Sequence, residues 1–361
     1  LDYFGAKNKQ VMFTKNVTES LNLLLKGFLK GGDHIIVSAL EHNAVMRPLK
    51  FLEKMNVSYS VIPCDEKGRL KLEEIKSLIK PNTKAILTTA ASNVIGTIMP
   101  LRQIGEAAKE NNIPYFVDGA QLAGFLPINM EALGIDVLAL TGHKSLLGPH
   151  GIGALILSEE IGQSIEPLVH GGTGSISDKF DMPKTLPDKF EAGTQNLMGI
   201  AGLLASMRWL AEHHIEVLKN ELALTRAFME GVKELTKEYP IRLVGLDLEE
   251  SGYLLDISEI EESLNFESNK KNYPLLKERK LLLEKIKRTP VVSLYSDEVD
   301  VANLAFYLES EGKIATRVGM HCSPLAHTAL GTFPKGTLRF SFGYHEKVED
   351  VEACLNLIKE F

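Results

Sequence analysis

Short apolar runs recur along the N-terminal part of the chain, at residues 11–14, 34–38, 57–62, 84–89, 115–117, 137–140 and 152–157. Each is rich in Val, Ile and Leu, is bounded by polar residues, and reads as a strand. Helical patterns separate them at 19–29, 44–55, 72–79 and 104–110. Strands alternating with amphipathic helices predict a mostly parallel sheet with helices on both faces. From about 196 to 239 the pattern is long and helical, as expected of a link between two domains. Strand patterns return at 241–244, 291–294 and 337–342, and helical ones at 301–311 and 348–360. Residues 249–287 are crowded with Glu and Lys, and we expect a largely solvated helical excursion there.

Open parallel sheets bind ligands at the carboxyl ends of their strands. Five polar clusters fall at such ends: Asn16-Val17-Thr18-Glu19, Glu41-His42-Asn43, Ser92-Asn93, Asp118-Gly119-Ala120-Gln121 and Thr141-Gly142-His143-Lys144. Taken singly, each has an ordinary explanation. Asp118 is a typical turn residue, Thr18 a helix cap, Lys144 a solvated lysine and His42 a satisfied surface histidine. Their convergence on one sheet edge is what points to a site. The run from Gly148 to Gly153 follows a lysine and leads into a strand, so it fits neither a P-loop nor a Rossmann turn. The set instead suits pyridoxal phosphate (PLP). That cofactor needs a lysine for a Schiff base, an acid facing the pyridine nitrogen, a flat side chain over the ring, and a phosphate cup at a helix N-terminus.

Composition narrows the class further. The chain has 361 residues, 44% of them hydrophobic and 24% charged, which is ordinary for one large or two medium globular domains. A net charge of −7 argues against a nucleic-acid partner. No apolar run has the length of a membrane span. The three cysteines, Cys64, Cys322 and Cys354, form neither a disulfide framework nor a zinc spacing, and they suit a reducing cytoplasm. The chain opens at Leu1, almost directly in strand-like sequence, so we expect an N-terminal segment to be missing. Cys322 sits in "RVGMHCSPLAH", where His321 beside it and Arg317 upstream are the groups expected to favour a thiolate. Cys354 lies on an apolar helical face and Cys64 after a strand, and both read as structural.

The stretches "TKNVTESLN", "EHNAVMRPL", "SNVIGT", "VDGAQLAG", "LTGHKSLLGPHGIG", "FEAGTQN" and "RVGMHCSPLAH…GTLRFSFGYHE" together resemble the class V aminotransferase family of fold-type I PLP enzymes. Within it they resemble the cysteine desulfurases, of a group II-like kind. The resemblance covers nearly the whole chain. It implies a large PLP-binding domain over 1–212 and a smaller α+β domain over 213–361 that carries the catalytic cysteine loop. It implies that Lys144 binds the cofactor covalently, that Asp118 pairs with the ring nitrogen, and that Gln121 hydrogen-bonds the ring hydroxyl oxygen. His42 would stack on the ring and relay a proton, and Asn93 would lie near ring and substrate. Val17 through its backbone, Thr18, Thr141 and His143 would hold the phosphate. Thr194 would reach the phosphate of a partner copy, which implies a homodimer. Arg339 would clamp the substrate carboxylate, and Cys322 would take sulfur from L-cysteine as a persulfide, leaving L-alanine. The implied partner is a sulfur acceptor, such as an iron–sulfur scaffold or a carrier protein.

Two features depart from the family pattern. Met320 stands where group II desulfurases more often carry a polar residue, and the 249–287 excursion is longer than usual. Three other readings stay open at this point. One is a selenocysteine lyase, and another is a different C–S lyase or aminotransferase of the same fold. The last is a non-catalytic PLP-binding or sulfur-relay partner.

Overall fold

The structure is a computed structural model that describes residues 1–253 and 280–361. Most of the 249–287 excursion lies outside the described residues. The chain divides into two compact units. The first comprises residues 1–62, 71–90 and 100–212, and the second residues 63–70, 91–99 and 213–361. The second unit thus takes two stretches, 63–70 and 91–99, that the expected 1–212 boundary assigned to the first. Lys67 pairs with Asp247 and Glu250, and backbone bonds hold the 91–99 stretch. Ile98 N donates to Lys287 O (2.8 Å) and Thr289 N to Gly96 O (2.8 Å).

Among the described residues, seven strands form the sheet of the first unit: β1 (Lys9–Thr14), β2 (His34–Ser38), β3 (Ser58–Ile62), β4 (Thr83–Thr89), β5 (Tyr115–Asp118), β6 (Val137–Thr141) and β7 (Gly153–Ser158). Their order is β1-β7-β6-β5-β4-β2-β3, and only the β7 pairings are antiparallel. Every residue of β2, β5 and β6 is buried. Strands covered on both faces lose the inside–outside alternation, which is why they read as continuous apolar runs. The helix Val17–Phe28 buries Leu21, Leu24 and Leu25 against this core, with Val37, Leu87 and Phe116 in the same cluster. Inside the core, His34 bridges Thr83 Oγ1 (2.8 Å) and Ser60 Oγ (2.9 Å), and burial pushes its imidazole down to about 4.

The helix Leu197–Leu235 continues from the first unit into the second. The second unit's sheet runs β10 (Arg317–Gly319), β11 (Thr337–Ser341), β9 (Val291–Tyr295), β8 (Arg242–Val244), with antiparallel pairing throughout. The helices Val301–Gly312 and Val348–Glu360 belong to the same unit, and the rings of Phe228 and Phe340 meet at 4.5 Å in its core. Strand β10 went unpredicted because three residues containing Arg and Gly carry no apolar period. No helix among the described residues is long and apolar enough to cross a membrane.

Candidate active site

In the first unit, Asp118 ends β5 and is 3% exposed. Its Oδ1 accepts from Ala120 N at 2.9 Å. Burial pushes the carboxyl up, while the Ala120 N–H and the Lys144 ammonium oppose the shift. Lys144 follows β6 by three residues and is half-buried. Thr141, the last residue of β6, places Oγ1 3.1 Å from His143 Nδ1. The His143 ring stacks on His150, with centroids 4.8 Å apart, and its pKa is lowered by burial, by His150 and by Lys144.

Val17 and Thr18 begin the helix Val17–Phe28, where Asn16 Oδ1 caps Glu19 N at 3.0 Å. The first amides of a helix have no intrahelical carbonyl to reach and favour an anion. His42 is the cap of the helix Asn43–Leu52: its Nδ1 accepts from Ala44 N at 2.9 Å. That bond fixes the ring orientation and puts the proton of the neutral ring on Nε2. Gln121 is half-buried in the turn after β5, and Thr194 is exposed in the segment before the helix Leu197–Leu235.

Sequence reasoning singled out the Glu41 cluster but gave Glu41 no part in the site. The side chain is fully buried, and Oε1 accepts from Ser38 Oγ and from Thr89 N (2.8 Å). Burial pushes its carboxyl up to about 8, and Asp118 adds like-charge repulsion. Glu41 is therefore largely protonated at neutral pH, while Asp118 is the acid with a lysine beside it to oppose the effect of burial. It also ties the end of β2 to the end of β4, the strand that pairs with β5. The signal in the sequence was the spacing of Ser38 and Glu41 at a strand end, a pattern too common to stand out.

This donor set fits PLP. A buried carboxylate at a strand end suits a protonated ring nitrogen, a half-buried lysine lies in its field, and a helix N-terminus offers amides to a phosphate.

In the second unit, Cys322 is exposed, and the Arg317 guanidinium lies 3.6 Å from its Sγ. Arg317 and Arg339 are directly paired across β10 and β11. Arg339 Nη1 donates to Asn93 O at 2.8 Å, while its Nε is buried without a hydrogen-bond partner. Burial and the nearby Arg317 push this guanidinium down to about 10, so it stays charged at neutral pH. A charged fork with an unsatisfied donor is suited to a carboxylate. The structure thus groups Asn93, Cys322 and Arg339 in one unit.

The expected part of His321 is corrected. Its ring is 2% exposed, with Nε2 2.9 Å from Thr337 Oγ1, and burial holds its pKa at about 3. It is neutral and contributes no positive charge to the thiol; among the pair expected there, only Arg317 does. The residue that adjoins Cys322 in sequence turns inward because backbone direction, not adjacency, decides where a side chain goes. Cys354 is buried and its thiol is pushed up to about 12, and Cys64 is half-buried.

His327 is also fully buried, with Nδ1 2.7 Å from Thr332 Oγ1 and a pKa lowered to about 4. Above the ordinary value of 6.5, folded and unfolded chains are both neutral at this site. Below it only the unfolded chain takes up a proton, so stability falls until the pH reaches about 4. In His327→Asn that loss is absent. We expect its stability deficit against the unsubstituted protein to shrink by about 2 kcal/mol between about pH 7 and about pH 5. Urea unfolding at the two pH values checks this, and a constant deficit would contradict it.

The family model described as Aminotransferase class-V matches residues 2–252 and 253–354. A probable cysteine desulfurase of Pyrococcus abyssi is 30% identical over 370 residues, covering 99% of this chain and 80% of the relative. The cysteine desulfurase IscS of Dictyoglomus turgidum is 36% identical over 203 residues, 55% of this chain, and that match spans only 48% of the relative. Among solved structures, the cysteine desulfurase of Thermococcus onnurineus superimposes with a TM-score of 0.80 at 29% identity, covering 99% of this chain and 80% of that one. The chain belongs to the class-V aminotransferase family of PLP-dependent enzymes, among its cysteine desulfurases.

Proposed function

We propose that this chain converts L-cysteine to L-alanine and takes the sulfur as a persulfide on Cys322. The observation that carries the reading is the exposed Cys322 thiol held beside the Arg317 guanidinium, in the same unit as the charged, partly unsatisfied Arg339. Bound PLP supplies an electron sink for the carbanion formed at the substrate Cα. Lys144 holds the cofactor and then carries the Cα proton, and Asp118 keeps the ring nitrogen protonated. Gln121 hydrogen-bonds the ring hydroxyl oxygen, His42 covers the ring, and Asn93 lies near the ring and the reacting amino acid. Val17, Thr18, Thr141 and His143 hold the phosphate. Arg339 binds the substrate carboxylate, which sets the amino acid in one orientation.

The sulfur step balances without an added oxidant. The Cys322 thiolate attacks the substrate sulfur and an S–S bond forms. The Cβ–S bond breaks, its electron pair goes to Cβ, the proton of the substrate thiol is transferred there, and return of the Cα proton by Lys144 completes alanine. His42 is the relay for the transfer to Cβ. A thiol reductant then releases sulfide and restores Cys322.

The working form is a homodimer in the proposed reading. Support comes from the exposed apolar side chains of Leu197 and Met198, which follow Thr194 closely in the chain, at 69% and 85% exposure. A cytoplasmic location accords with three cysteines that form no disulfide. The natural acceptor is a protein thiol or an iron–sulfur scaffold, because a persulfide passes its outer sulfur to a thiolate.

Alanine and sulfide should form in equal amounts from L-cysteine with a thiol reductant, in a protein with visible PLP absorbance. Absorbance without either product would overturn the reading, and cleavage of selenocysteine alone would replace it with a selenocysteine lyase.

A further inference from the structure

The Cys322 loop has an unusual backbone. His321 and Cys322 both have positive φ, +47° and +60°, and neither is glycine. Two consecutive left-handed residues with side chains persist only where the surroundings hold them. One turn bond, Ser323 N to Met320 O at 2.8 Å, lies within the loop itself. Beside the His321–Thr337 contact, a second long-range grip comes from a residue 228 positions earlier: Asn93 Nδ2 donates to His321 O at 2.7 Å. On the other side of the thiol, Ser323 Oγ donates to Asn93 Oδ1 at 2.7 Å. Asn93 is 6% exposed and Ser323 fully buried, so neither bond competes with bulk water.

Only an amide does this with one short side chain. It gives a proton to the carbonyl before the cysteine and accepts one from the hydroxyl after it. The His321 carbonyl can only accept, so the amide has one orientation.

Asn93 is itself held firmly. Ser293 Oγ donates to Val94 O, and Arg288 Nη2 donates to Ile95 O at 3.0 Å. Gly96 adopts φ +74°, and a Cβ there would lie 2.8 Å from Val291 O, so the stretch packs against β9 as closely as glycine permits. Finally, the Asn93 carbonyl accepts from Arg339 Nη1.

We propose that Asn93 is the positioning residue of the nucleophile: its amide spans Cys322 and holds the left-handed turn that presents Sγ beside Arg317. The inference rests on the reading of Cys322 as the sulfur acceptor. It adds that the arginine that binds the substrate carboxylate and the loop that attacks the substrate sulfur are both fastened to one asparagine.

The test uses the holoenzyme and two variants. Ser323→Ala removes the hydroxyl donor and leaves Asn93, Arg339 and Cys322 in place. Asn93→Asp keeps an acceptor for Ser323 but loses the donor to His321. Amide hydrogen exchange at residues 320–323 should quicken by about tenfold or more in both, with β9 and β11 unchanged. Unchanged exchange in the loop overturns the proposal, whatever the enzyme's activity. In single turnovers with L-cysteine, Ser323→Ala should form the Cys322 persulfide about tenfold more slowly. Its visible absorbance and half-saturating cysteine concentration should stay the same. A rate equal to that of the unsubstituted enzyme, or a change in half-saturation or absorbance in place of the rate, overturns it as well. If the unsubstituted enzyme forms no persulfide, it is the desulfurase reading that fails, and loop exchange alone then decides the clamp.

Discussion

Cys322→Ser should lower alanine and sulfide production by at least about a thousandfold while PLP absorbance and thermal stability stay unchanged. A serine hydroxyl is not ionised at neutral pH and does not attack sulfur, so the carbanion chemistry has no thiolate to deliver sulfur to. The side chain is exposed, with the Arg317 guanidinium 3.6 Å from Sγ, so the fold loses nothing measurable with it. The substitution therefore separates sulfur capture from cofactor binding. Activity within a few-fold of the unsubstituted enzyme would mean that substrate sulfur leaves without Cys322, and the persulfide scheme would be wrong.

The second large effect concerns stability. Arg288 is fully buried, and its guanidinium donates to Leu246 O, Ile95 O (3.0 Å) and Val291 O (2.6 Å). Burial pushes it down to about 10, so it remains charged at neutral pH. Arg288→Met keeps much of the side-chain volume and removes every donor. Three carbonyls then lie buried without that partner, at about 1–3 kcal/mol each. Against this, methionine does not carry the desolvation cost of a buried cation, which offsets part of the loss. The carbonyl penalties are the larger sum, and we expect a net destabilisation of about 3 kcal/mol. Urea denaturation checks it, and a change below about 1 kcal/mol would show that the three carbonyls find other donors. Because one of those carbonyls belongs to Ile95, the substitution should also loosen the stretch that carries Asn93.

The histidines and acids show why such groups escape a reading of sequence. Nothing local distinguishes His321, buried and neutral, from an exposed imidazole beside a thiol. Glu41 reads as an ordinary acid before a helix, and only its burial, with Asp118 nearby, makes it a neutral one against the opposing hydrogen bonds from Ser38 and Thr89. Desolvation is a property of the surroundings of a side chain, and those surroundings come from other parts of the chain.

What the sequence determined by itself was the succession of strands and helices and the polar clusters at the strand ends. Hydrophobic periodicity is local, and a parallel sheet sends successive strand-end loops to one edge, so 34–38 could be read as β2 and Asp118, Thr141 and Lys144 as residues of a shared edge. The family motifs added the cofactor and the chemistry. Tertiary structure alone decided that 91–99 belongs with the second unit, that Asn93 spans Cys322, that His321 faces inward, and that Arg288 gathers three carbonyls. Each of these depends on pairs up to 230 positions apart and on burial that no local window carries. Their physical basis is the requirement that buried polar groups find partners wherever the fold supplies them.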